Sequence, residues 1–349
     1  MKVYVFPADH FGCGYYRMIW PAVALRQNGH DVTVADPSQK SLLQGALRKG
    51  KLAGVWVPAG TDVVVLQRVT HAYLAGVVPM IRDQGVAVVI DMDDDLTCVD
   101  PANPAWAMLH PRRYPIHHSW ENNLKACEAA TMVTVSAPSL AARYASHGRF
   151  RVLHNMVPES YLRVSHIDSD LIGWAGSVHS HPNDLQVTGS AISGLIGAGH
   201  RFQIVGSGAG VYGALGVLDK QPRISATGIV PILAWPEAVT GIGVGIAPLA
   251  DTEFNKSKSW LKPAEYSAVG VPWVASPRAE YTRLHKLGAG WLADSPSEWH
   301  SKLTTLVTDP QARTDLAGIG REVMTKHTIE GNAWRWWEAW TEALAIQRG

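Results

Sequence analysis

The chain is short of the residues that would name its chemistry at once. Its 349 residues include three cysteines, Cys13, Cys98 and Cys127. Their wide spacing and odd number fit neither a disulfide framework nor a paired-thiol zinc site, and suggest a reducing compartment. Charge is sparse as well: 17% of residues are Asp, Glu, Lys or Arg and the formal net charge is +1. No global field therefore gathers nucleic acid or an acidic membrane surface, although a locally basic groove stays open. No apolar run approaches the roughly 18 residues that span a bilayer, so no membrane insertion is expected. The opening "MKVYVFPADH" enters a strand directly and lacks the apolar core of a signal peptide, which predicts a cytoplasmic protein. What the chain does have is apolar mass: 46% hydrophobic residues over a length that suits two domains.

That mass is distributed as short Val/Ile runs alternating with helical patterns. Strands are predicted at 2–6, 30–36, 62–68, 86–95, 130–137 and 151–155, with helices at 16–29, 72–85 and 138–148. Near-continuous apolar runs separated by helices indicate parallel strands buried on both faces, a doubly wound α/β domain whose ligands bind at the carboxyl ends of its strands. The pattern restarts after the polar segment 158–170, with strands at 171–177, 201–208, 223–230, 241–249 and 271–276. The expected organisation is a Rossmann-like domain over 1–157, a second Rossmann-like domain over 158–325 and a C-terminal helix over 326–349. Trp334, Trp337 and Trp340 lie at helical spacing in that last segment and predict a greasy helix clamped across the two domains, which would face a central cleft.

Several stretches fall at predicted strand ends. In "PADHFGCGYYR", Gly12 and Gly14 open a helix whose free N–H groups could face an anion or a sugar oxygen, with Arg17 one turn on. The third glycine of a dinucleotide fingerprint is missing. "DMDDDL" sets four aspartates at one strand end, with Asp93 and Asp94 as the pair of interest. Three readings stay open there: a Mg²⁺ or Mn²⁺ site, hydrogen bonding to acceptor hydroxyls, or a solvated cap. "HPRRYPIHHSWENN" is a modest basic-aromatic loop in which His117 and His118 are candidate acceptor contacts. Gly176 and Ser177 in "GWAGSVHSH", and Gly206 in "VGSG", would let backbone approach a ligand closely.

The segment "SKSWLKPAEYSAVGVPWVAS" (257–276) is odd on energetic grounds. Pro263 marks the first turn of a helix, which puts Lys258 and Lys262 at the helix N-terminus, where a cation costs a few tenths to about 1 kcal/mol. A diphosphate lodged against the free N–H groups would reverse that sign. Glu265, within the same helix, is then placed for a ribose.

These residues resemble the retaining GT-B glycosyltransferases of the family 4 type. That family brackets a helix start with two glutamates that have seven residues between them, and Glu265, followed by "YSAVGVPWVAS", matches the second. Ser257 stands where the first should be. "GVGIAPLADTEFNKSKSWLK" (243–262), "VTVSAPSLAARY", "VLHNMVPE", "GCGYYR" and "IDMDDDL" are similar to segments of short members from actinobacteria and their phages. The resemblance implies two Rossmann-like domains, an acceptor domain over 1–157 and a donor domain over 158–325, and a nucleotide-diphosphate sugar, such as a UDP-sugar, as donor. Lys258 and Lys262 would take the diphosphate, Glu265 the ribose, and Gly12, Gly14, Gly176, Ser177, Gly206, Ser257 and Ser259 would line the donor. It implies no tightly bound cofactor and no metal requirement. The departing diphosphate itself would accept the acceptor's proton. The acceptor would be a hydroxyl on a macromolecule, such as hydroxymethylated phage DNA or a virion protein. Two other functions share this pattern: a sugar-nucleotide 2-epimerase, with the "DMDDDL" aspartates and His10 or His179 as acid/base groups, and a non-catalytic module binding nucleic acid or protein.

Overall fold

The computed structural model describes residues 1–35, 43–49, 51–110, 119–218 and 221–349. They fold into two compact units. The first holds Met1–Val99, Ala105–Asn155 and Ile329–Gly349, and the second holds Asp100–Pro104 and Met156–Thr328.

The first unit is built on six parallel strands: β1 (Lys2–Phe6), β2 (Asp31–Val34), β5 (Val63–Gln67), β6 (Ala87–Met92), β7 (Met132–Val135) and β8 (Phe150–Val152), in the order β2-β1-β5-β6-β7-β8. Every residue of β5, β6 and β7 is buried, as expected where helices cover both faces of a parallel sheet. The predicted fourth strand runs to 95, but β6 stops at Met92. Beyond it the aspartates take side-chain partners instead of ladder positions, and Asp95 caps a short 3₁₀ turn, Leu96–Cys98.

A two-stranded antiparallel sheet, β3 (Gln44–Arg48) and β4 (Lys51–Trp56), joins β2 to β5. The sequence reading contains no such hairpin. All five β3 side chains are exposed, so the burial-driven alternation that reveals a strand is absent.

The second unit repeats the architecture with β9 (Ile172–Ala175), β10 (Phe202–Val205), β11 (Ile224–Ala226), β12 (Val244–Ala247), β13 (Trp273–Ala275) and β14 (Trp291–Leu292), in the order β11-β10-β9-β12-β13-β14. Its core gathers Trp174, Ile204, Ile246, Trp299 and Leu303 around β9 and β12. Both sheets are wholly parallel, and the fold is the double Rossmann-like arrangement that the alternating pattern predicts.

The C-terminal helix Trp334–Arg348 is part of the first unit. Its fully buried tryptophans are Trp336 and Trp340, one turn apart, whereas Trp334 is 47% exposed. The indole of Trp336 donates to the Arg17 carbonyl at 3.0 Å, and Trp337 stacks on His30. The buried face is therefore rotated from the 334-337-340 stripe read in the sequence.

Candidate functional site

The strongest convergence of the expected residues lies at the carboxyl ends of β9 and β10. The Leu261–Val269 helix packs there with a buried face that begins at Pro263. Tyr266 anchors it: the phenol accepts from the Ala175 N–H at 2.8 Å and donates to the Ile246 carbonyl at 3.1 Å, which joins the helix to β9 and β12 at once. One turn earlier, and therefore on the same face, Lys262 reaches the same strand end. Its ammonium donates to the Ala175 carbonyl and lies 4.4 Å from the Trp174 ring centroid. Lys262 is thus held against the strand end and not loose on a frayed turn.

Burial lowers the Lys262 pKa to about 8 from 10.5, with Glu265 and Asp184 pulling it back up and Lys258 pushing it further down. Two cations sharing one pole of a helix without a side-chain cap is the arrangement an anion relieves. Lys258 sits in the loop before the helix, its ammonium 4.3 Å from the Phe254 ring centroid. Glu265 is buried in the middle of the helix.

Glycine is obligatory where the strand ends meet this helix. Gly176 has φ +143 and Gly206 φ +125, conformations that side-chain-bearing residues rarely adopt. A Cβ on Gly206 would fall 2.1 Å from the Gly176 carbonyl oxygen, and one on Gly176 would fall 2.9 Å from the Lys262 ammonium. Gly176 thus joins the lysine to a cavity of about 630 Å³ that Gly176, Ser177, His179, Gly206 and Trp235 help to line. Gly176, Ser177 and Gly206 were singled out from sequence as donor residues. Ile229, Val230 and Trp235, which also line it, were not. The available signal was an apolar cluster inside a Gly/Pro-punctuated loop, "TGIVPILAWP"; Ile229 is 93% exposed, a cost in water that a ligand would remove.

Asp184 ties the neighbouring loops together. It is 1% exposed and accepts from the Ala250 N–H at 2.8 Å and the Asn255 side-chain amide at 2.7 Å. Its other oxygen lies 2.9 Å from His181 Nδ1. One carboxylate thereby binds the loop after β9 to the loop that carries Lys258. Ser257, in that loop, is 6% exposed and its N–H donates to the Phe254 carbonyl, while Ser259 is half-buried.

In the first unit the strand ends carry a different chemistry. Arg17, expected to face an acceptor, has no exposed surface. Its guanidinium pairs with Asp91 at 2.6 and 3.1 Å and donates to the Leu153 carbonyl and the Asn155 side chain. It occupies a π-helical turn, Tyr15–Ile19, and braces the sheet's end from within. Gly14 is required sterically, since a Cβ there would meet the Asp9 carbonyl oxygen at 1.8 Å. Asp9 in turn accepts from the Phe11 and Gly14 N–H groups and from the Cys13 thiol. Gly12 faces open space.

The four aspartates divide their roles. Asp91 holds Arg17 and accepts from Thr134. Asp95 accepts from Thr97 and Tyr144. Asp93 and Asp94 are both gripped by Arg68, which donates from Nε and Nη2 to Asp93 at 2.5 and 2.7 Å and from Nη2 to Asp94 at 2.9 Å. Arg68 does so from a left-handed backbone, φ +47, that a non-glycine residue adopts at a cost of about 1–3 kcal/mol. Burial pushes the Asp93 carboxyl pKa up and Arg68 opposes it. Among the described residues no cluster of three or more His, Cys, Asp or Glu could hold a metal. Arg68 was not singled out from sequence, because a lone arginine after "DVVVLQ" carries no pattern. His117 and His118 lie outside the described residues.

No protein-family model matches the chain. No curated protein matches its sequence. Solved structures do match in fold. HepE of Anabaena in complex with UDP is 13% identical with a TM-score of 0.64, over 98% of this chain and 100% of that one. The sucrose-phosphate synthase of Thermosynechococcus elongatus is 11% identical with a TM-score of 0.65, over 99% and 100%. The catalytic domain of starch synthase IV from Arabidopsis thaliana, bound to ADP and acarbose, is 12% identical with a TM-score of 0.61, over 99% of each chain. The chain has the GT-B fold of two Rossmann-like domains.

Proposed function

We propose that this protein is a glycosyltransferase that takes a nucleoside diphosphate sugar in its second unit and passes the sugar to an acceptor hydroxyl. One observation carries the reading. Lys262 holds a partly desolvated ammonium against Gly176, which lines the cavity, at the N-terminus of a helix, where a diphosphate would add negative charge to that of Glu265 and Asp184. The structural neighbours that hold UDP or ADP support it. Lys258 and Lys262 would contact the diphosphate and Glu265 the ribose. Gly176, Ser177, Gly206, Ser257 and Ser259 would belong to the donor's surroundings. Arg68 would orient Asp93 and Asp94 toward acceptor hydroxyls at the strand ends of the first unit, beside the Gly12–Gly14 turn.

Transfer would proceed with retention, as in the family 4 enzymes the sequence resembles. The sugar C1–O bond to the diphosphate breaks and a new C1–O bond to the acceptor forms on the same face. The acceptor's proton passes to the departing phosphate oxygen. Catalysis then rests on positioning and on stabilising the leaving diphosphate, with no need of a divalent metal. The proposed acceptor is a macromolecular hydroxyl, a hydroxymethylated base in DNA or a residue of a virion protein, met in a cytoplasm supplied with nucleotide sugars.

The test is incubation with UDP-, ADP- and GDP-sugars, with and without hydroxymethylated DNA, both pools being followed by mass spectrometry. Donor consumed with sugar added to the acceptor is the expected result. Isomerisation of the donor alone would replace the reading with an epimerase, and absence of nucleotide binding would overturn it.

A pH dependence follows from Lys262. Its charged form binds the diphosphate, and its pKa in the free protein is about 8. UDP affinity should therefore fall as pH rises through 8, approaching about tenfold by one unit above that value. Calorimetric titration at pH 7 and pH 9 checks it, with Lys262→Met abolishing the slope. The unliganded fold should move the other way. Because the folded pKa lies below the unfolded value, the unfolded chain binds the extra proton between about 8 and 10.5, and this group's contribution to stability rises with pH across that window.

A further inference from the structure

One part of the donor cavity comes from an unexpected place in the chain. The backbone leaves the first unit after Val99, contributes Asp100–Pro104 to the second, and returns to the first at Ala105. This five-residue excursion is ordered by its own hydrogen bonds. The Asp100 carboxylate accepts from the Ala102 N–H at 2.7 Å, and the Asp100 carbonyl accepts from the Asn103 N–H at 2.9 Å. Prolines at 101 and 104 fix φ on either side of that turn. The Asn103 side-chain amide donates to the Ser180 carbonyl at 2.9 Å. Ser180 closes the 3₁₀ turn Val178–Ser180, which follows Gly176 and Ser177 directly and is tied to the end of β10 through the bond from the Val178 N–H to the Ser207 carbonyl. Pro104 is exposed, and its ring lines the cavity together with Ile229, Val230 and Trp235.

We infer that Asp100–Pro104 is a specificity strap for the donor. Pro104 is an apolar wall that selects the nucleobase, and Asn103 is a positioning residue that fixes the Val178–Ser180 turn beneath it. The chemistry matches a flat, partly apolar ring system: Pro104, Ile229, Val230 and Trp235 share the lining with glycines and serines. A strap of this kind discriminates by shape. Its one charged group, the Asp100 carboxylate, is turned onto the Ala102 N–H, and the positive charge that serves any nucleoside diphosphate alike comes from the lysines. The inference rests on the donor-site reading above and deepens it by naming the nucleobase as the group the strap reads.

The experiment measures dissociation constants of UDP, ADP and GDP by calorimetry for the full-length wild-type protein, Pro104→Ala and Asn103→Ala. Melting temperatures show whether each variant folds. The best-bound nucleotide should weaken about 5- to 20-fold in both variants. The ratio between the best- and worst-bound should shrink at least threefold, a change that uniform loosening of the site would not produce. Asn103→Asp, which keeps the shape but replaces the amide donor with a carboxylate, should behave like Asn103→Ala. Wild-type affinities in the variants, or equal weakening of all three nucleotides, overturn the strap and leave the donor site standing. A wild-type protein that binds none of the three overturns the donor-site reading, and the strap with it.

Discussion

Replacing Lys262 with methionine should weaken binding of UDP or of the preferred nucleoside diphosphate about 100-fold and reduce sugar transfer to background. Methionine keeps a side chain of similar length and removes the ammonium, with its contacts to the Ala175 carbonyl and the Trp174 ring. The lost contact is a charge-assisted one in a partly desolvated site, and truncating one partner of such a pair costs about 2–5 kcal/mol. About 2.8 kcal/mol corresponds to the 100-fold expected here. The fold should tolerate the change. In the free protein the ammonium is held against its own desolvation, as the downward displacement of its pKa shows, so removing it relieves a cost. Calorimetry against the nucleotide, with a thermal melt as control, makes the comparison. Affinity within threefold of wild type would remove Lys262 from the site and take away the observation on which the proposed function stands. Arginine at 262 is not a conservative control, because the ammonium meets the Ala175 carbonyl at a mouth only glycine can line, and a planar fork is larger.

The parallel sheets were legible in the sequence because burial on both faces leaves an unmistakable record, as in "AVVIDM" and "VVVLQ", whose every residue is buried. Strand β3 of the hairpin left none, since a strand with exposed side chains needs no apolar alternation. Lysines at a helix N-terminus were legible for an energetic reason, and the structure adds what spacing could not: the carbonyl, the indole ring and the glycine around one of them. The aspartate cluster shows the opposite case. Its four carboxylates read as one feature in sequence, yet Asp91, within β6, pairs with Arg17, while Asp93 and Asp94, past the strand's end, turn to an arginine 25 and 26 residues earlier. Partners that far apart in the chain have no local signature. The strap Asp100–Pro104 is hidden for the same reason, as nothing in "DPANP" says which unit it joins.

Arg17→Met should be the most destabilising single change at the strand ends, costing about 3–5 kcal/mol. The substitution leaves the Asp91 carboxylate fully buried without its guanidinium, with Thr134 still donating to it, and it removes donors from the Leu153 carbonyl and the Asn155 side chain. An uncompensated buried charge is the expensive outcome, more so than the loss of the pair as such. The double substitution Arg17→Met/Asp91→Leu should therefore be less destabilising than the sum of the two single changes by more than 1 kcal/mol, although not neutral, because Thr134 and the Leu153 carbonyl still lose partners. The two units need not unfold together, so the appropriate measurement is hydrogen exchange at the β1 and β6 amides, which reports on the first unit alone. Slowly exchanging amides there should lose protection by two to three orders of magnitude in Arg17→Met, as about 3–4 kcal/mol requires. If protection is unchanged and only acceptor affinity falls, Arg17 is a binding residue after all, reached by a rearrangement that opens the sheet's end. Loss of protection with nucleotide affinity intact places it as the brace on which the Arg68–Asp93–Asp94 cluster is built.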